Sequence, residues 1–80
     1  MLKLDVKTRL PEEEVRQRIK AFFKDGYGLT LTAEAPDCVT LEGGGGYVTA
    51  ALSRDANETR VEFETREWEE LVKRFAREVS

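Results

Sequence analysis

The chain opens on strict alternation. Leu2, Leu4, Val6, Thr8 and Leu10 share one face and Lys3, Asp5, Lys7 and Arg9 the other, which predicts a strand over Leu2–Leu10 with one wet side. The period changes at Pro11, whose fixed φ suits the first position of a helix. Glu12, Glu13 and Glu14 then complement the positive end of the helix dipole. Val15, Ile19, Phe22 and Phe23 follow at helical spacing, with Glu12–Arg16 and Glu14–Arg18 placed for ion pairing four residues apart, and Gly26 is expected to stop the helix. Four short alternating segments come next. Tyr27–Ala35 turns Leu29, Leu31 and Ala33 inward, and Cys38–Glu42 turns Val39 and Leu41. Tyr47–Ser53 turns Val48, Ala50 and Leu52 inward, and Thr59–Thr65 turns Val61 and Phe63. The turns between them are Pro36-Asp37, Gly43-Gly44-Gly45-Gly46 and Asp55-Ala56-Asn57. A closing helix carries Trp68, Leu71, Val72, Phe75 and Val79 on one stripe, with acidic residues early and basic residues late.

Strand direction converts this order into a topology. If the first strand runs up, the helix returns the chain and the hairpin-linked strands alternate up and down, so the fifth strand is antiparallel to the first. Lys3, Lys7 and Arg9 on the first strand would then face Glu62 and Glu64 on the fifth. The fold class is therefore α+β, β-α-β-β-β-β-α. We expect a five-stranded antiparallel sheet in order 1-5-4-3-2 with both helices on one face. The first strand guards its edge with charge, but Tyr27–Ala35 carries only Glu34 among neutral residues, so a weak homodimer through that edge is expected at high concentration.

Composition narrows the partners. At 80 residues the chain is one domain, 1–80, small enough that a large internal cavity would compete with its core. The apolar runs are too short for a membrane span, and the alternating start at Met1 leaves no room for a leader, so a cytoplasmic protein away from membranes is expected. The lone Cys38 fits a reducing compartment. The absence of histidine removes the commonest metal ligand and general base, and a net charge of −3 disfavours nucleic acid.

The element order over the whole chain resembles the TBP-like β-α-β4-α fold. That fold is shared by the TATA-binding-protein repeat and, enlarged, by the helix-grip proteins related to the birch-pollen allergen and START domains. The segment Leu10-Pro11-Glu12-Glu13-Glu14-Val15, ending a strand and opening a helix, looks like the corresponding stretch of small polyketide-cyclase-like helix-grip proteins. The helix-grip resemblance implies a ligand cavity between the sheet and the C-terminal helix. The TATA-binding resemblance implies DNA on the open sheet face, which needs a basic surface with apolar wedges. Here that surface mixes Lys3, Lys7, Arg9 and Arg60 with Asp5, Glu34, Glu42, Glu62 and Glu64, so no nucleic-acid partner is expected.

Candidate chemistry is sparse. The tetraglycine run leads into a strand and not into a helix N-terminus, so it reads as a hairpin with positive φ values and not as a phosphate cradle. Cys38 should face the open side without a base beside it, and Glu62 and Glu64 read as a solvated ladder. No catalytic residue, metal ligand or cofactor is expected. One end of the sheet does gather contact area and accessible backbone: Gly26, Tyr27 and Gly28, the run Gly43, Gly44, Gly45 and Gly46, then Tyr47 and Trp68. Glu67, Glu69 and Glu70 would repel an anion there, so a neutral or cationic ligand is expected, with a simple core cap by Trp68 as the plainer alternative. The expected function is a non-enzymatic binding or interaction module whose partner is a small molecule or a protein. The alternative is a miniature helix-grip protein holding a small apolar ligand at the glycine–aromatic end.

Overall fold

The first alternating segment forms β1 (Leu2–Thr8) in the computed structural model, which describes residues 1–80. The chain continues through α1 (Glu12–Ile19), β2 (Thr30–Ala35), β3 (Cys38–Gly43), β4 (Gly46–Asp55), β5 (Glu58–Arg66) and α2 (Glu69–Val79). All strand pairs are antiparallel and the sheet order is β1-β5-β4-β3-β2, as the charge and direction argument requires. After Ile19 the first helix widens into a π-helical stretch, Lys20–Gly26. Its buried residues Val15, Ile19 and Phe23 are four apart. That spacing drifts around a helix of 3.6 residues per turn, and the wider winding keeps Phe23 on the core side. The helical winding ends at Gly26, as expected. Two residues on, Gly28 takes φ 77°, and its N–H and that of Leu29 bond back to the carbonyls of Lys24 and Phe23.

The core lies between the sheet and both helices. Val39, Leu41, Val48, Ala50, Val61 and Phe63 supply the sheet side, and Val15, Ile19, Phe23, Val72, Phe75 and Val79 the helix side. The Phe75 ring meets Phe63 and Phe23 at centroid distances of 5.7 Å each, so phenylalanine fills the layer between α2 and the sheet. No helix is long and apolar enough to cross a membrane.

Several local expectations change. Strand β1 ends at Thr8, whose Oγ1 accepts the Leu10 N–H, so the chain turns before Leu10. Strand β2 starts at Thr30, not Tyr27, and a bulge between Leu31 and Ala33 leaves Thr32 out of the backbone register with β3, its hydroxyl donating instead to the Thr40 carbonyl and Glu42. One extra residue reverses the facing of everything after it. Ala33 pairs with Thr40 on the open face, and Glu34 pairs with buried Val39, so Glu34 and not Ala33 points to the helix side. Lys20 of the π-helical stretch neutralises it at 2.9 Å. The charge ladder between β1 and β5 is only partly direct. Lys3 stands opposite Glu64, as expected, but Asp5 stands opposite Glu62 and Lys7 opposite Arg60, and the ion pairs run from Arg60 to Asp5 at 2.6 Å and from Lys7 to Asp55 of β4 at 2.9 Å. On α1 the Glu14–Arg18 pair forms, but Arg16 turns to Glu13 and to the Pro36 carbonyl, tying the helix to the β2–β3 turn.

Candidate functional site

The tetraglycine run makes a tight hairpin. Gly43 pairs with Gly46, and the two residues between them, Gly44 and Gly45, take φ 58° and 81°, the backbone of a type I′ turn. Residues with side chains resist two consecutive left-handed conformations, which accounts for the glycines at the tip. Gly46 answers to crowding. A Cβ on Gly46 would lie 2.1 Å from the Arg66 carbonyl oxygen, because β5 crosses directly beside it before turning into α2.

Trp68 caps the start of α2 and lies against this hairpin. Its Nε1 donates to the Gly43 carbonyl oxygen at 2.9 Å, and a Cβ on Gly44 would fall 2.8 Å from Cζ2 of the indole. The ring is half-buried and packs on the edge of the core. Leu29, just beyond Gly28, sits beside Gly43. The turn Gly26–Gly28, the hairpin and Trp68 therefore meet at one end of the sheet, as strand direction demands.

The three aromatics do not share a face. Tyr47 alternates against buried Val48 and so stands on the open side of the sheet, where its hydroxyl donates to Glu64 Oε2 at 2.7 Å. That hydrogen bond to a carboxylate, helped by desolvation, raises the phenol's pKa above the usual tyrosine value. Tyr27 lies on the helix side, 42% exposed, with its ring 5.3 Å from Phe22 and its hydroxyl accepting from Arg74 Nη1. The glycine end thus has a helix side, where Trp68 closes the core, and a sheet side, where Tyr47 borders a shallow depression.

Thr40, Glu42, Gly43, Gly45, Gly46, Tyr47 and Arg66 line that depression, whose volume is about 530 Å³. Thr40, Glu42 and Arg66 were not among the residues the sequence singled out, although register supplies two of them: Tyr47 stands opposite Glu42 on β3 and Arg66 on β5. A second hollow of about 250 Å³ lies between the helices, lined by Arg18, Ala21, Phe22, Phe75, Glu78 and Val79, far along α2 from Trp68. Cys38 faces the open side beside Ala51 and is half-buried. No protein-family model and no curated protein matches this chain.

Proposed function

We propose that this chain is a non-enzymatic binding module whose contact surface is the open sheet face at the glycine end, centred on Tyr47. One observation carries the reading: a fixed aromatic ring, accessible glycine backbone, the Glu42 carboxylate and the Arg66 guanidinium line the same depression, and Glu64 holds the ring's hydroxyl from beside it. Glu64 locks the Tyr47 hydroxyl, so the ring offers contact area at little cost in side-chain entropy. Glu42 and Glu64 outweigh Arg66 in charge, which favours a neutral or cationic partner over an anionic one.

The element order supports a miniature TBP-like architecture related to the helix-grip proteins. A helix-grip ligand would need space between sheet and C-terminal helix, and Phe23, Phe63 and Phe75 occupy that layer here. A small apolar ligand has instead the hollow between α1 and α2, where Ala21, Phe22, Phe75 and Val79 are apolar; this is the second reading.

A thermal-shift screen of metabolites, lipids and short cationic peptides, followed by amide chemical-shift mapping of each hit, tests both. Shifts concentrated at Gly43–Tyr47 and Arg66, lost in Tyr47→Ala, support the first reading. Shifts at Ala21, Phe22 and Val79 support the second, and hits that perturb neither region overturn both.

A further inference from the structure

The connection between β5 and α2 is short and strained. Strand β5 ends at Arg66 and α2 begins at Glu69, so two residues turn the chain from the end of an inner strand onto the covered face of the sheet. The first of them, Glu67, takes φ 78°, a left-handed conformation that a residue with a Cβ resists. The turn also passes close to the hairpin. A Cβ on Gly46 would meet the Arg66 carbonyl oxygen at 2.1 Å and the Glu67 Cβ at 2.6 Å, so only glycine lets the turn pass.

What the turn delivers is an adhesive helix. Val72, Phe75 and Val79 of α2 are buried in the core, and Trp68 bonds Gly43 across the hairpin. None of these contacts requires that α2 and the sheet belong to the same molecule. The strain at Glu67 does, because it exists only while the chain folds back on itself.

We propose that α2 exchanges between two copies of this chain, with Arg66–Glu67–Trp68 as the hinge, giving a swapped dimer in which each α2 packs on the partner's sheet. The hinge straightens, Glu67 leaves the left-handed region, and every core contact is remade across the twofold axis. The occupant of the vacated surface is fixed by complementarity: the surface shaped by one α2 accepts another copy of α2. This inference is independent of the Tyr47 surface, which lies on the opposite face of the sheet.

The test is refolding at millimolar concentration, then light scattering on the separated species, for the wild type, Glu67→Gly and Glu67→Val. Glycine relieves the strain in the monomer, and valine, being β-branched, increases it. The two hinges per dimer should separate the variants' dissociation constants by about tenfold or more, valine dimerising more tightly and glycine less. Any dimer is then prepared from mixed isotope-labelled and unlabelled chains. The swap predicts intermolecular nuclear Overhauser contacts between the Phe75 and Phe63 rings, which are 5.7 Å apart centre to centre within the fold. A dimer whose Phe75–Phe63 contacts are all intramolecular, as edge pairing through β2 would give, overturns the proposal. So does a monomer in all three proteins, or equal dimerisation by glycine and valine.

Discussion

The indole of Trp68 donates its one hydrogen bond to the carbonyl oxygen of Gly43 at 2.9 Å, tying the residue that precedes α2 to a hairpin 25 residues earlier. The bond crosses the only end of the sheet where a glycine hairpin and a helix start coincide. It separates that end into a closed side under the indole and an open side around Tyr47.

The glycines of the hairpin should rank sharply by substitution. Gly46→Ala drives a Cβ against backbone that cannot give way, at 2.1 Å from the Arg66 oxygen, and should cost about 3 kcal/mol or more. Gly45→Ala meets no atom within 4 Å and pays only for its left-handed backbone, about 1 kcal/mol. Urea unfolding of the two variants checks the order. Equal losses would contradict the close crossing of β5 beside Gly46.

A gain in stability is expected at the opposite end. Ala56 holds φ 57° in the β4–β5 turn, a conformation that glycine adopts without a Cβ penalty. Ala56→Gly should therefore stabilise the fold by about 0.5–1 kcal/mol, against the usual direction of that substitution. A lower unfolding midpoint in Ala56→Gly would contradict the turn geometry.

The Tyr47–Glu64 pair gives a dependence on alkaline pH. Its hydrogen bond raises the folded-state pKa of the phenol above the ordinary 10.0, so the native state holds this proton more tightly than the unfolded chain. The resulting stability is fully present below the ordinary value and is lost as pH rises through the folded value, above about 10. Ultraviolet titration of the tyrosinate should show one phenol ionising late, and Glu64→Gln should bring that transition to lower pH. An unchanged titration in Glu64→Gln would remove the pair as the cause.

Lys7 and Asp55 are expected to act oppositely at acid pH. The hydrogen-bonded Lys7 ammonium lowers the Asp55 pKa below its usual value. Its contribution is present above the ordinary carboxylate range and is lost as pH falls through the depressed folded value. Both groups are exposed, so Lys7→Met should change the acid limb of the stability profile only slightly, and a large shift would show a pairing stronger than a surface ion pair sustains.

The architecture was legible because each strand alternates and each helix has its own apolar stripe, and strand direction, with the charges on the two strands, then put β1 beside β5. The facing of Ala33 and Glu34 was not. Nothing in Leu31-Thr32-Ala33 marks an extra residue, and the charge that lets Glu34 face the helices comes from Lys20, on another element. The glycine end was legible as a place and not as a surface. Tyr47 precedes Val48, so its outward facing follows from alternation, yet grouping residues by sheet end placed it with Trp68, which packs on the other face. Arg66 and Glu42 become neighbours of Tyr47 only through cross-strand register.

Unfolding free energies of Trp68→Ala and Tyr47→Ala, measured side by side, test most directly the division of the glycine end into a closing indole and an open contact surface. A capping Trp68 loses its core packing and leaves the Gly43 carbonyl without its partner, and should cost about 3 kcal/mol. Tyr47 gives up one hydrogen bond on an open face and should cost about 1 kcal/mol. A Trp68→Ala loss below about 1 kcal/mol, or a larger loss in Tyr47→Ala, would contradict the account.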